Sequence, residues 1–258
     1  MTFEVGAAGR EAPTAREKPR GKRREVRALG AALVLLAGAA LAHAGTVPQR
    51  VEIVYRVSIG PLNIGEGHDV FEHDGKTYQV TSEAKTTGVA AALYRLSILR
   101  ESRGRITPKG LRTDSFAELR NGKPKRSGTF DWEKRQAHLV DGESEQTVEL
   151  PDNTWDTTSF GYNFAFTGLE TPPVSANLTD GRRIMHYDYK ILGKEGLDTA
   201  LGRLETVHVQ KVQPPGDKRG FDVWVAPGHY NLPVRIRYTE KDGTVFDSVL
   251  AQITYPAK

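Results

Sequence analysis

The 258-residue chain contains no cysteine. This excludes disulfides, thiolate metal sites and cysteine nucleophiles, and also a bacterial lipoprotein, whose lipid is attached to a cysteine at the cleavage site. Long apolar runs are missing as well. The run from Ala28 to Leu41 has 14 residues, whereas a membrane-spanning helix needs roughly 20. We therefore expect a cleaved segment here rather than an anchor, and no integral membrane segment after it.

The apolar run has the surroundings of an export signal. The basic segment 22–27 precedes it, and Ala42-His43-Ala44 follows it with the small-x-small pattern that a signal peptidase reads. We predict cleavage near Ala44-Gly45 and a periplasmic location. The mature chain, residues 45–258, is then expected to be one β-rich domain.

Two features upstream of the run leave alternatives open. Residues 1–21 have no apolar periodicity, so they are either a disordered extension or the result of a start codon placed too far upstream. The pair Arg23-Arg24 suggests the twin-arginine route. However, Glu25 stands where an apolar residue usually follows such a pair, and this favours the general secretory route.

The positive net charge of the chain, +4, belongs to this leader. Residues 1–44 hold eight of the 36 basic and four of the 32 acidic residues, which leaves 28 of each in the mature chain. A neutral mature chain does not have the basic surplus of a nucleic-acid-binding protein. We therefore predict that nucleic acid is not a partner.

From Val51 onward, apolar and polar residues alternate with the period of a β-strand, as in 51–59, 185–191 and 232–238. Strands with one apolar and one polar face are typical of antiparallel sheets. Turn signals such as Asn121-Gly122 and Asp242-Gly243 follow every 10–14 residues. They predict about ten to twelve strands in a curled antiparallel β-meander, barrel-like or half-barrel, since a flat sheet of that size tends to curl.

Two segments interrupt the strand pattern and predict short helices. Residues 88–94 are rich in alanine. Residues 153–166 are rich in aromatics, and Asn153 with Asp156 resembles a capping box. We expect this second helix to plug one mouth of the curled sheet, with its aromatics filling the core or lining a cavity for an apolar ligand. The predicted ligand-lining residues are Trp155, Phe160, Tyr162, Phe164 and Phe166. Thr171-Pro172-Pro173 is the one plausible internal boundary.

Charge is unevenly distributed along the mature chain. Residues 95–135 hold twelve basic and five acidic residues, and residues 136–181 hold no basic and eight acidic ones. Adjacent strands could pair these faces across the sheet. Alternatively, the basic segment is a surface for anionic lipid or polysaccharide.

Signals for chemistry are weak. His68 and His73 resemble a metal pattern, but on one strand they point to opposite faces, so we predict no metal site. His186 and Asp188 share a strand face, which is the arrangement of a carboxylate orienting a histidine, although that face is polar and normally solvated.

We find no phosphate loop, dinucleotide fingerprint or nucleophile elbow. We therefore predict no cofactor and identify no catalytic residue, and an enzyme is less favoured than a binding protein.

Several separated stretches carry a family resemblance: 55–67, 78–90, 101–104, 199–206, 222–227 and 232–236. Together they resemble an uncharacterised bacterial family, the domain of unknown function DUF3108. The resemblance covers about residues 50–255 and implies an exported protein of Gram-negative bacteria with a mostly β fold. It implies no catalytic or binding residues. A looser similarity, at the level of fold alone, is to periplasmic carriers that shelter lipid or lipoprotein acyl chains.

Three hypotheses about function follow. The leading one is a non-catalytic periplasmic protein that binds or carries an apolar or amphiphilic envelope component, such as a lipid, in its curled sheet. The alternative is an envelope scaffold that binds another envelope protein or a glycan by its surface. The least favoured is a hydrolase that uses His186 and Asp188.

Overall fold

The computed structural model describes residues 46–169 and 174–256. The predicted leader, its cleavage site and the boundary at 171–173 lie outside the described residues. Within these residues, fifteen strands form one sheet. The same residues form two short helices, α1 (Gly88–Leu93) and α2 (Phe160–Thr167), and a 3-10 turn at Pro227–His229. The strands are β1 (Arg50–Ile59), β2 (Leu62–His73), β3 (Thr77–Thr86), β4 (Ser97–Thr107), β5 (Gly110–Arg120), β6 (Lys123–Asp131), β7 (Gln136–Asp141), β8 (Ser144–Glu149), β9 (Thr154–Asp156), β10 (Val174–Thr179), β11 (Ile184–Thr199), β12 (Gly202–Lys211), β13 (Gly220–Ala226), β14 (Leu232–Thr239) and β15 (Val245–Thr254).

The sheet consists of two runs of consecutive strands, β1 to β8 and β9 to β15, which are joined by the pairing of β1 with β15. Each strand from β1 to β8, and from β9 to β15, pairs with its neighbours in the chain, and β1 also pairs with β15. All these pairs are antiparallel except β9 with β10, which is parallel. The free edges of the sheet are therefore β8 and β9.

The chain connectivity shows that this sheet must curl. Fourteen strand spacings would separate the two edges by about 67 Å if the sheet were flat. Yet β8 ends at Glu149 and β9 begins at Thr154, and a link of this length reaches about 18 Å at most. The two edges therefore approach each other although no strand pairing joins them. The predicted fold class, a curled antiparallel sheet with short helices, is confirmed.

The residues predicted to form tight turns adopt the backbone conformations that hairpins require. Asn121 and Gly122 both have positive φ, 49° and 76°, and Gly243 has a φ of 92°, conformations that asparagine and glycine tolerate best. The predicted strand number is too low, because three short strands, β7, β8 and β9, are too short or too polar to show a strong alternation.

Alternating side chains place one apolar face inside the curl. Val51, Ile53 and Tyr55 of β1 are buried, and Glu52 and Val54 between them are only partly buried. We call the side that contacts α2 the inner face, since the ring of Phe71 on β2 stacks on that of Tyr162 on α2. The main hydrophobic core lies between this face and α2.

Side chains join the two halves of the sheet near its free edges. Arg126 of β6 pairs with Asp141 at 3.2 Å and with Asp180, in the turn before β11, at 3.1 Å. Gln146 of β8 donates a hydrogen bond to the backbone carbonyl of Arg182 at 2.5 Å. The basic and acidic segments of the sequence therefore pair with each other here, as the pairing interpretation predicts.

Gly181 gives a direct test of this closure. Its φ is +91°, and a Cβ placed there would lie 2.9 Å from the Cβ of Arg126. Gly181→Ala is expected to lose about 1 kcal/mol of unfolding free energy from backbone strain and about 1–3 kcal/mol more from the overlap. Gly243→Ala is the matched control, because its φ is +92° with no atom within 4 Å. Equal losses in urea unfolding would contradict a tight contact at Gly181.

Candidate functional site

The aromatic segment forms a strand and a helix rather than one helix. Residues 154–156 pair in parallel with β10 as β9, and Asn153 before them has a φ of 54°. Helix α2 begins at Phe160. The carboxylate of Asp156 accepts the backbone N–H groups of Thr158 and Ser159 at 2.8 and 3.0 Å. The prediction that Asn153 caps the helix is therefore wrong, since strand pairing holds 154–156 extended and Asp156 satisfies the free N–H groups.

Helix α2 lies inside the curl and is apolar on opposite sides. Phe160 and Phe164 are one turn apart and in ring contact, with centroids 5.4 Å apart. Phe160 also contacts the ring of Tyr189 on β11, at 4.9 Å. A helix with large apolar side chains on opposite sides belongs in a core, and Phe160, Tyr162 and Phe164 are all buried.

The other side of α2 packs on the first half of the sheet. Tyr162 stacks on Phe71 of β2 with a centroid separation of 5.2 Å and an interplanar angle of 6°. Phe166, one turn later and partly buried, contacts the same Phe71 ring at 5.8 Å. The helix therefore bridges both halves of the sheet.

The five predicted ligand-lining residues thus lie in two neighbouring groups. Trp155 of β9 joins the Phe160 and Phe164 group, with a ring separation of 6.1 Å from Phe160. Tyr162 and Phe166 form the second group around Phe71. Their partners in the structure are other protein rings. Their role in binding a ligand stays a prediction.

A buried carboxylate, that of Asp156, lies at the base of α2, and the sequence pattern predicts it only as part of a capping box. Oδ2 of Asp156 accepts hydrogen bonds from the hydroxyls of Ser102 at 2.6 Å, Thr113 at 3.0 Å and Ser159 at 2.7 Å. Both carboxylate oxygens are therefore saturated with donors. Ser102 and Thr113 belong to β4 and β5, so the network ties one half of the sheet to β9 at the opposite edge.

Other polar contacts strengthen the same junction. The hydroxyl of Tyr78 lies 3.3 Å from that of Ser102. The indole N–H of Trp155 donates to the carbonyl of Leu111 at 2.7 Å. The N–H of Leu111 in turn donates to the side-chain oxygen of Asn163 on α2, at 2.8 Å. These bonds fix β9 and α2 against β5.

A second inward carboxylate lies under α2. Asp69 of β2 accepts a hydrogen bond from the hydroxyl of Tyr162 at 2.8 Å. Burial raises the pKa of Asp69 above its usual range, and hydrogen bonds from Ser82 and Tyr162 only partly offset this. Burial, together with the nearby charge of Asp69, also holds the pKa of Tyr162 well above the ordinary tyrosine value.

The raised pKa of Asp69 predicts a pH dependence of stability. A carboxyl whose folded-state pKa is raised contributes fully below its unfolded pKa, and the contribution is lost as pH rises through the folded pKa. The stability of the wild type relative to Asp69→Asn is therefore expected to fall with rising pH, by at most about 1.4 kcal/mol per pH unit. Urea unfolding at pH values from below the unfolded-state pKa of Asp69 to above its folded-state pKa measures this difference in stability. Asp188→Asn, at an exposed carboxylate, is the control. A pH-independent difference would contradict the buried titration.

The geometry around His186 and Asp188 is not that of a hydrolase. Both side chains are more than half exposed, and Nε2 of His186 lies 3.5 Å from Asp188. The nearby hydroxyl, that of Ser175, donates to Asp188 at 2.7 Å. In a catalytic triad the serine bonds to the histidine and the carboxylate orients the histidine. Here the serine hydroxyl donates its hydrogen bond to the carboxylate and not to the histidine, which is not the arrangement of a catalytic triad.

His68 and His73 point to opposite faces of β2, as strand parity predicts. His68 is half exposed, 3.9 Å from Glu52. The ring of His73 contacts Phe166 and bonds through Nε2 to the carbonyl of Val47 at 3.1 Å. Its Nδ1 accepts the N–H of Gly75 at 3.1 Å. Both ring nitrogens of His73 are thus used within the fold.

An open cleft of about 660 Å³ lies near the ends of β1 to β5. Most of the residues that line it are of charged or polar type, including Arg50, Glu72, Arg103 and Asp114. None of the five aromatic residues lines it. Apolar ligand sites are mostly lined by hydrophobic and aromatic side chains, and few residues of that type line this cleft.

No helix in the described part of the chain is both long and apolar enough to cross a bilayer.

Comparisons with known proteins agree with this architecture. The structure is similar to the crystal structure of a β-barrel-like protein of domain of unknown function DUF1849 from Brucella abortus. The match has a TM-score of 0.56 and 8% identity, and covers 83% of this chain and 100% of that one. At this identity the likeness establishes the fold alone. A comparison with curated proteins found no match. The family model described as protein of unknown function (DUF3108) matches residues 54–249, and the chain belongs to this family.

Proposed function

We propose that this chain is an exported, non-catalytic protein of the bacterial cell envelope that meets its partner through its outer surface. The basic, apolar and small-x-small pattern of residues 22–44 supports export to the periplasm. The observation that carries the surface interpretation is the packing of the buried rings of α2 against the inner face of the sheet. Helix α2 occupies the space inside the curl, where a carrier would hold its ligand.

The energetics favour a helix that stays in place. Phe160, Tyr162 and Phe164 are at most 2% exposed. Each such side chain contributes about 1.5–3 kcal/mol through burial, so exposing all three would cost on the order of 5–9 kcal/mol. The bond from Tyr162 to Asp69 and the bond between Leu111 and Asn163 add to this cost. An interior ligand would have to offset all of it before any net binding.

A carrier remains the second candidate, and one observation favours it. No backbone pairing joins β8 to β9, and α2 is inserted beside this gap, between β9 and β10. If α2 moved out, an apolar or amphiphilic envelope component could take its place. The five aromatic residues named above would then surround that component.

Analysis of the purified mature protein, residues 45–258, separates the two candidates. The protein is denatured, extracted into organic solvent and examined by lipid mass spectrometry. We expect no lipid at stoichiometric amounts. One amphiphile per chain, recovered reproducibly, would overturn the surface interpretation and support the carrier.

The partner itself is sought with the same mature protein. The tagged chain is passed over solubilised envelope fractions, and captured lipids, glycans and proteins are identified. We expect capture that an excess of untagged mature protein competes away. A chain that captures nothing from any envelope fraction would count against a surface role.

A further inference from the structure

Exposed apolar side chains concentrate at one end of the sheet. Val89 and Leu93 on α1 are 79% and 84% exposed, and Tyr94 directly after the helix is 66% exposed. Leu62, at the start of β2, is 66% exposed. We call these four residues the apolar tip. Single exposed leucines are common on protein surfaces, but four large apolar side chains on two adjacent connections are not scattered.

The fold brings the two parts of the tip together. Helix α1 connects β3 to β4, and β3 pairs with β2. The N–H of Thr87, the residue before α1, donates to the carbonyl of Ile64 on β2 at 3.1 Å. Since alternate turns of a meander lie at the same end of the sheet, α1 and the turn before Leu62 lie side by side.

Helix α1 contacts β2, but within the described part of the chain this contact leaves its large side chains exposed. None of its six residues is buried, and none is charged or polar. A solvent-exposed helix normally carries polar residues on its outer face. This helix instead presents its largest side chains outward, as an element does when it is covered by something other than its own core.

Positive charges border the tip. Arg95 follows Tyr94, and the β5–β6 turn brings Lys123 to the same end, because Ser97 and Asn121 exchange hydrogen bonds at 2.8 Å. Both cations are exposed, and neither is in an ion pair with a carboxylate of the described residues. Segments 59–63, 86–97 and 120–125, which form these connections, contain no aspartate or glutamate.

From this arrangement we infer that the apolar tip inserts into the surface of an anionic phospholipid bilayer, with Arg95 and Lys123 against the headgroups. A protruding apolar element bordered by cations suits a bilayer, which takes apolar side chains into its acyl region and attracts cations to its anionic surface. A tyrosine at the border places its ring at the headgroup level. The inference rests on the proposed function and identifies the surface partner as a membrane.

Vesicle binding of the mature protein tests this inference. The vesicles contain phosphatidylethanolamine and phosphatidylglycerol in a three-to-one ratio, and vesicles of phosphatidylcholine serve as the uncharged comparison. We expect sedimentation with the anionic vesicles that weakens as salt is raised. Leu93→Ser is expected to lower the partition constant about tenfold, and Arg95→Gln about fivefold on anionic vesicles only.

Matched controls separate insertion from general surface effects. Leu201→Ser makes the same change in a leucine that is 49% exposed in the β11–β12 turn, at the opposite end of the strands, and should bind as the wild type does. Since the tip side chains are exposed, all variants should keep the wild-type unfolding midpoint. In Tyr94→Trp, the indole fluorescence should shift to the blue on binding and be quenched by brominated lipid.

The other outcomes overturn the inference. Equal binding by Leu93→Ser and wild type would exclude the tip, and so would an unshifted Tyr94→Trp spectrum. Dimerisation of the lipid-free protein that Leu93→Ser abolishes, without vesicle binding, would make a second copy the occupant. If vesicles are not bound but an envelope protein or glycan is still captured, the membrane inference fails while the proposed surface function stands.

Discussion

Replacing Asp156 with alanine is expected to lower the free energy of unfolding by about 3–5 kcal/mol. The variant removes the acceptor of three buried hydroxyls and of two backbone N–H groups at the start of α2. Each buried donor left without a partner costs about 1–3 kcal/mol. The hydroxyls of Ser102 and Thr113 retain Tyr78 as a neighbour, so the loss is smaller than the sum of five donors.

Urea unfolding with linear extrapolation measures this loss. Asp188→Ala is the matched control, because that carboxylate is more than half exposed on the outer face; we expect a change within about 0.5 kcal/mol. A loss below about 1 kcal/mol for Asp156→Ala would show that the network does not hold β9 against β4 and β5.

Phe160→Ala is expected to cost about 3–5 kcal/mol, because it leaves a cavity where a large side chain was fully buried. Phe160 lies between Trp155, Phe164 and Tyr189, and these rings are held from several elements, so the site collapses only in part. Phe160→Leu keeps most of the volume and should cost less than about 1.5 kcal/mol.

Phe160→Ala also tests whether the wild-type interior is filled. A dry apolar cavity of this kind binds benzene, and a ligand that binds only the folded state raises its stability. Benzene should therefore raise the unfolding midpoint of Phe160→Ala and leave that of the wild type unchanged. An equal rise in both proteins would contradict a filled interior.

Local patterns in the sequence predict most of the sheet. Alternation over 51–59 corresponds to β1 (Arg50–Ile59), and the alanine-rich segment 88–94 contains α1. These features depend on side-chain period and turn chemistry, which are encoded within a few residues. The curl also follows, since so many consecutive strands cannot stay flat.

Elements that depend on distant partners could not be predicted in this way. Residues 154–156 form a strand only because β10, some twenty residues later, pairs with them. Without that partner, an aromatic segment after Asn153 resembles a helix with a cap. The observed helix begins only at Phe160, after Asp156 has accepted the N–H groups that a cap residue would take.

The candidate site was predicted in part for the same reason. High aromatic density identified α2, but the role of Asp156 depends on Ser102 and Thr113, which reach it only through the curl. For Asp69 the sequence carries a local signal: it shares a strand face with Phe71, and a carboxylate on an apolar face needs a buried donor. The structure supplies that donor as Tyr162.

A cross-link between α2 and the sheet tests the central claim most directly. A Cβ at Gly161 would lie 3.4 Å from the Cβ of Pro233 on β14, close to the separation of about 3.5–4.5 Å found in disulfides. The chain has no other cysteine, so Gly161→Cys with Pro233→Cys can form only this intramolecular bond. Gly161→Cys alone is the control for the substitution.

Capture of envelope components is then compared between the oxidised and reduced double variant. If the interior stays filled and the protein works from its outer surface, locking α2 changes nothing, and both forms retain the same partner with the same affinity. Loss of capture on oxidation, restored by reductant and absent from the single variant, would show that α2 must leave the interior and would contradict this account.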